Sequence, residues 1–222
     1  MNSNLELTIS AEVSKNSLTF CQRRGKDLKV LFLIINPRPN WTKERTMIFF
    51  PMGPAFVMSN AVRAGYDCTL VDGRVDPISE DDLEQIVTAQ HFDVIAIGEL
   101  THTYFIVKPL LSRLKKVSPK SVIVVGNSIA SSHPELFLLR TQADIAVQAD
   151  GTETFVDLLG ELGTGKASTL SRVKGIAYRE DGAVITTPPR PPVKEMDSIR
   201  YPDWDLFDCE AYISSAQNYH FL

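Results

Sequence analysis

The amino-acid sequence predicts an α/β protein: a doubly wound, Rossmann-like or flavodoxin-like five-stranded parallel sheet, followed by a β-hairpin and an extended connector. Three observations predict it. Short segments rich in Val, Ile and Leu recur five times along the first two thirds of the chain. Stretches with apolar residues at helical spacing separate them, the pattern of right-handed βαβ crossovers. After residue 165 both signals stop, and an alternating pattern with a tight-turn sequence takes over.

The five segments are residues 29–35, 67–72, 93–98, 121–126 and 143–147. Being apolar almost throughout, they are expected as strands buried on both faces. After the first comes the stripe Ala55, Met58, Ala61, Val62, and after the second Leu83, Ile86, Val87. Val107, Leu110, Leu111 and Leu114 follow the third, and Phe155, Leu158, Leu159 and Leu162 the fifth; each stripe covers one helix face. Ala64-Gly65 closes the first helix, Ser79 followed by Glu80-Asp81-Asp82 caps the next, and Ser118-Pro119 ends the third. Residues 173–178 and 183–187 flank an Asp181-Gly182 hairpin turn. Pro188-Pro189-Arg190-Pro191-Pro192 cannot continue a sheet and is expected as extended polyproline II. Residues 193–222, with Trp204, Phe207, Tyr212 and Tyr219 and little periodicity, read as a connector that packs against something.

The net charge of −4, without a basic run, disfavours nucleic acid. The longest apolar run, residues 30–35, is too short for a bilayer, and the first ten residues carry no signal-peptide core, so a cytoplasmic protein without membrane contact is expected. Cys21, Cys68 and Cys209 are too scattered for a disulfide framework, a zinc site or an iron–sulfur cluster.

Ligands of open α/β sheets bind beyond the carboxyl ends of the strands, so the residues following each strand carry the functional information. They are glycine-rich and polar. Asn36-Pro37 follows the first strand, with Gly53 opening the next helix, and Asp72 closes the second. The third gives Gly98, Leu100, Thr101, His102 and Tyr104; the fourth gives Gly126, Asn127, Ser128 and Ala130; the fifth gives Gln148, Ala149, Gly151, Thr152, Glu153 and Thr154. Glycine lets a ligand lie against main chain, and hydroxyls and helix N-termini offer hydrogen bonds. Five such loops together favour a large ligand. No loop carries Gly-x-Gly-x-x-Gly or a Walker lysine, so neither a dinucleotide nor a nucleoside triphosphate is indicated by motif.

At these loops the chain resembles the N-terminal cobalamin-binding domain of B12-dependent radical SAM enzymes, from about Lys29 to Tyr212. Asn36-Pro37-Arg38-Pro39 is similar to the family's Asn-Pro-Pro turn, Pro51-Met52-Gly53 to its Pro-x-Gly, and Asp72 to its strand-ending Asp. The run from Gly126 to Glu135 resembles Gly-Gly-x-His-Ala-x-x-x-Pro-Glu, and Ala149 to Thr154 resembles Gly-Glu-Gly-Glu-x-Thr. Residues 201–213, YPDWDLFDCEAYI, resemble the connector to the radical SAM barrel. Asn127 stands at the family's second glycine, Ile129 at its histidine, and Ala149-Asp150-Gly151-Thr152 at its acidic glycine motif.

The resemblance implies cobalamin as cofactor, held by the loop residues named above, in service of a methyl transfer or related radical reaction. It divides the chain into an N-terminal extension (1–27), a cobalamin-binding domain (28–165) and a hairpin with linker (166–222). A [4Fe–4S] cluster and S-adenosylmethionine are expected only on a radical SAM domain, in the same polypeptide or a separate chain, because the Cys-x-x-x-Cys-x-x-Cys motif lies nowhere in this sequence. The Asp-x-His-x-x-Gly loop with which corrinoid proteins ligate cobalt is absent after the first strand, so no protein ligand to the metal is expected, and His102 is the competing candidate. Two alternatives stay open: a solo α/β transferase with a nucleotide-activated substrate, using Asp72 and Glu99 as its carboxylate pair, and a regulatory domain whose ligand site has decayed.

Overall fold

A computed structural model describes residues 23–36 and 48–217. Its strands are β1 (Lys29–Ile34), β2 (Asp67–Asp72), β3 (Val94–Gly98), β4 (Val122–Gly126), β5 (Ile145–Val147), β6 (Ile176–Glu180) and β7 (Ala183–Thr186). The helices are α1 (Met52–Arg63), α2 (Glu80–Gln90), α3 (Tyr104–Val117), α4 (Ser128–Ser131), α5 (Pro134–Arg140), α6 (Gly151–Thr164) and α7 (Cys209–Gln217).

Five parallel strands in the order β2-β1-β3-β4-β5 form the doubly wound part. The β6–β7 hairpin pairs antiparallel with β5 and extends the same sheet to seven strands. The doubly wound α/β class expected from the sequence holds, and the strand count differs: the hairpin that follows the parallel strands joins their edge, so the sheet has seven strands rather than five. The hairpin turn sits at Asp181 and Gly182, both at positive φ, as a two-residue loop with a matching right-handed twist requires.

Helix ends follow the chemistry of the sequence. The Ser79 hydroxyl accepts the Asp82 N–H at 3.1 Å, and the Asp150 side chain accepts the Thr152 N–H at 2.9 Å, each satisfying an orphan donor of a first turn. Residues 193–217, expected as a connector with little periodicity, carry α7. Two short helices, α4 and α5, fill the β4–β5 crossover, where no apolar stripe announced them.

Alternate residues of each strand serve two cores. Phe32, Ile34, Ala96, Val124 and Val147 pack with Ala55, Met58, Phe155 and Leu158, so α1 and α6 cover that face. Leu31, Leu33, Ile95, Ile97, Ile123 and Val125 pack with Leu83, Val87, Val107, Leu111 and Phe137, so α2, α3 and α5 cover the other. The crossovers from β1 and β3 leave on opposite faces, and the crevice at this switch in winding lies at the strands' carboxyl ends.

Candidate functional site

β3 and β4 both end in glycine, and Gly98 and Gly126 are register partners. On the α1–α6 side the same strands present Ala96 and Val124 below them, because side chains alternate with a period of two. The result is a cavity of about 530 Å³ between the sheet, the first turns of α1 and α6, and Ile199 of the connector. Phe32, Val147 and Phe155 line its depth, Pro54, Phe56 and Val57 its α1 wall, and Asn127, Ala149, Asp150, Gly151 and Thr152 its mouth. A Cβ on Gly126 would meet nothing within 4 Å, so the space before it is open; one on Gly98 would stand 3.1 Å from Pro54 Cγ.

Hydroxyls lace the loops at the mouth together. Ser128 Oγ accepts the Thr101 N–H at 3.1 Å and lies 3.2 Å from Thr101 Oγ1, tying the β3 loop to the β4 loop. Ser131 Oγ accepts the Ala149 N–H at 3.0 Å, tying the β4 loop to the β5 loop. Two non-glycine residues here have left-handed backbones. Asn127 lies at φ +68° and ψ −164°, a region almost restricted to glycine, and Ala149 at φ +53°. Both stand at positions where the motifs that these loops resemble carry glycine, the residue that adopts positive φ most readily.

Of the residues singled out from sequence, the fold brings Gly53, Gly98, Gly126, Asn127, Ala149, Gly151 and Thr152 together around the cavity. Leu100, Thr101 and Ser128 stand in the adjoining laced loops, with Leu100 and Thr101 exposed. His102 is exposed in the turn spanning Thr101–Thr103. Gln148 donates its N–H to the Gly175 carbonyl. Other candidates point elsewhere. Ala130 is buried in the opposite core. Tyr104 packs edge-on against Phe137, with ring centroids 6.1 Å apart. Thr154 accepts from Arg190 Nε at 2.8 Å, and Glu153 pairs with the same guanidinium. Asn36 is half-buried just past β1, and Pro37 lies outside the described residues. Sequence reasoning missed Phe32, Pro54, Phe56, Val57, Phe155 and Ile199; the alternation of small Ala96 and Gly98 with large Ile95 and Ile97 was the available signal for a hollow on one face.

Asp72 and Glu99, the carboxylate pair of the transferase alternative, have other partners. Asp72 accepts the Tyr212 hydroxyl at 2.5 Å and the Arg74 N–H at 3.1 Å. Burial and this carboxylate together push the Tyr212 phenol up. Glu99 is buried and holds Arg74 at 3.2 Å; its pKa is nevertheless raised, because loss of solvent outweighs the guanidinium and backbone N–H groups that favour the anion. Neither side chain lines the cavity. Among the described residues no group of three His, Cys, Asp or Glu side chains is placed to hold a metal ion, and no helix is long and apolar enough to cross a membrane. Cys68 and Cys209 are unpaired thiols, and burial pushes Cys68 up to about 12.

Topology and cleft define a flavodoxin-like ligand-binding domain whose site lies at the carboxyl edge of a doubly wound sheet. The chain belongs to the B12 binding domain family, whose model matches residues 44–159, just over half of its length. It is 28% identical over 201 residues to an anaerobic magnesium-protoporphyrin IX monomethyl ester cyclase of Rubrivivax gelatinosus, covering 86% of this chain and 35% of that protein. With an uncharacterized methyltransferase of Pyrococcus horikoshii it shares 27% over 163 residues, covering 73% of this chain and 35% of that one. The chain therefore spans about a third of the length of these curated relatives. Among solved structures, the cobalamin-dependent S-adenosylmethionine radical enzyme OxsB superposes with a TM-score of 0.65 at 18% identity, over 86% of this chain and 26% of that one. The radical S-adenosylmethionine methyltransferase TsrM from Kitasatospora setae, with cobalamin and a [4Fe–4S] cluster bound, gives 0.59 at 10% identity, over 79% and 31%. These likenesses show that the chain shares its fold with part of each of these enzymes.

Proposed function

We propose that this chain is the cobalamin-holding part of a B12-dependent radical SAM enzyme, with residues 28–165 as the binding domain and 166–222 as the hairpin and linker toward the radical SAM domain. The observation that carries it is the cavity beneath the paired glycines Gly98 and Gly126, at the point where the winding of the sheet reverses. Its volume suits a small planar group with a sugar, far less than a whole corrinoid. Phe32, Val124 and Phe155 would hold the nucleotide tail of the cofactor in the cavity, and the laced loops at its mouth would hold the corrin ring. Gly126 offers open space, and the N-terminus of α6 presents Gly151 and Thr152 to polar groups of the tail. Loop backbone and hydroxyls at Leu100, Thr101, Asn127, Ser128 and Ala149 orient the ring.

When bound, the corrinoid supplies cobalt-centred methyl or radical chemistry; this chain supplies binding, orientation and exclusion of water from the buried tail. The [4Fe–4S] cluster and S-adenosylmethionine belong to the radical SAM domain, and methyl transfer or a related radical reaction is the proposed activity of the whole enzyme. No nucleic acid and no membrane take part, and the compartment is the cytoplasm, in keeping with the net charge of −4 and the unpaired Cys68 and Cys209. Equilibrium dialysis with hydroxocobalamin tests the reading. Retention at tens of micromolar, about 6 kcal/mol of binding free energy, is expected. Absence of retention overturns it in favour of a decayed site.

A further inference from the structure

Arg74 does not line the cavity, yet it joins the segments that do. It follows β2 through Gly73, whose N–H donates to the Ile34 carbonyl at 2.9 Å. A Cβ at Gly73 would lie 3.2 Å from that same oxygen, tighter than an ordinary contact, so glycine lets the chain lie this close to β1 without a shift of either segment. From there the guanidinium forks three ways. Nε donates to the Ile35 carbonyl at 3.3 Å, Nη1 to the Phe49 carbonyl at 3.3 Å, and Nη2 to the Glu99 carboxylate at 3.2 and 3.4 Å. The Glu99 side chain is only 1% exposed and also accepts the Ile35 N–H at 3.2 Å.

One side chain thus binds the end of β1, the stretch that enters α1 and the first residue of the β3 loop. The latter two lead directly to Pro54 and Gly98, which both line the cavity and lie so near each other that a Cβ on Gly98 would stand 3.1 Å from Pro54 Cγ. An ion pair taken this far out of water seldom repays its desolvation, so stability alone is a poor account of it. We infer that Arg74 is a positioning residue for the cofactor: its fork sets the spacing between the α1 wall and the β3 loop, and so the width of the cleft. This rests on the cobalamin reading above.

Lysine keeps the charge but offers a single compact donor group in place of the planar fork, so Arg74→Lys distinguishes geometry from charge. Lys115→Ala serves as the comparison. It breaks the Lys115–Asp144 pair, which is similarly shielded but braces β4 through the Ile123 N–H, at the other end of the strands. The experiment measures melting temperature, hydroxocobalamin affinity, and hydrogen exchange of the cofactor-free chain for each variant. Arg74→Ala and Arg74→Lys should weaken affinity at least tenfold and speed exchange at Ile35 and Leu100 while leaving Ile123 unchanged. Lys115→Ala should keep affinity within twofold of wild type and speed exchange at Ile123. Full affinity in Arg74→Lys, or equal affinity losses in Arg74→Ala and Lys115→Ala, overturns the assignment of Arg74 while the cobalamin reading stands. A wild-type chain that retains no hydroxocobalamin overturns both.

Discussion

The two faces of the sheet are built from the same strands and do different work. On the α2–α3 face, Ile95, Ile97, Ile123 and Val125 are buried to the strand ends in one cluster with Val107, Leu110 and Leu111 of the helical layer, so large side chains fill that face. On the α1–α6 face the corresponding positions shrink toward the carboxyl edge, from Val94 to Ala96 to Gly98 and from Val124 to Gly126, and a cavity opens. The cavity is made by removing side chains from one face while the other keeps the sheet together.

That division is broken most severely from the packed side. Leu111 is fully buried, and Leu111→Ala should cost about 2–5 kcal/mol of stability through lost burial and the cavity left behind. Its hydroxocobalamin affinity, measured where the variant remains folded, should stay close to wild type. Gly126→Val tests the open side. Because a Cβ there meets nothing, urea midpoints should barely move, while affinity should fall at least tenfold, about 1.4 kcal/mol or more, as the side chain takes ligand space. Equal losses of stability and affinity would mark Gly126 as a structural glycine.

A smaller effect is expected at Ala149, whose φ of +53° is unfavourable for any residue with a Cβ. Ala149→Gly should stabilise the chain by about 0.5–1 kcal/mol, net of glycine's greater freedom when unfolded, and should leave binding intact or tighter; calorimetry and dialysis check the two halves. The smallest effect is a slope. Burial raises the Glu99 pKa above its ordinary value, so ionising it costs more in the folded chain than in the unfolded one. As pH rises from the ordinary glutamate range through the raised folded value, wild type should lose stability relative to Glu99→Gln, and above that value the difference should level off. Paired urea titrations from about pH 4.5 to about pH 8 follow it, a window that starts in the ordinary glutamate range. A difference that moves the opposite way would mean that Arg74 holds the carboxylate more strongly than burial opposes it.

Much of this was legible in the residues. Apolar strands, helical stripes, the Ser79 cap and the Asp181-Gly182 turn are local signals, each with a local physical cause, and together with the loop motifs they led to a cobalamin-binding sheet. The same reasoning placed glycines 98 and 126 at the site, because close approach of a ligand to main chain favours that residue. Local patterns did not show that Tyr104 turns to Phe137, that Asp72 is held by Tyr212, or that α7 returns so that Tyr212 and Phe207 pack around Phe50. Those contacts join residues far apart in the chain, and a loop side chain's direction follows from the partners that surround it. Periodicity and backbone freedom belong to each segment alone, so the residues were enough for the strands, for α1, α2, α3 and α6, and for the small side chains that hollow one face, but not for α4, α5 and α7. Which polar residues face the cavity and which are consumed in bracing it depends on the folded chain, because a carboxylate or guanidinium takes its role from the distant groups that folding brings within hydrogen-bond reach.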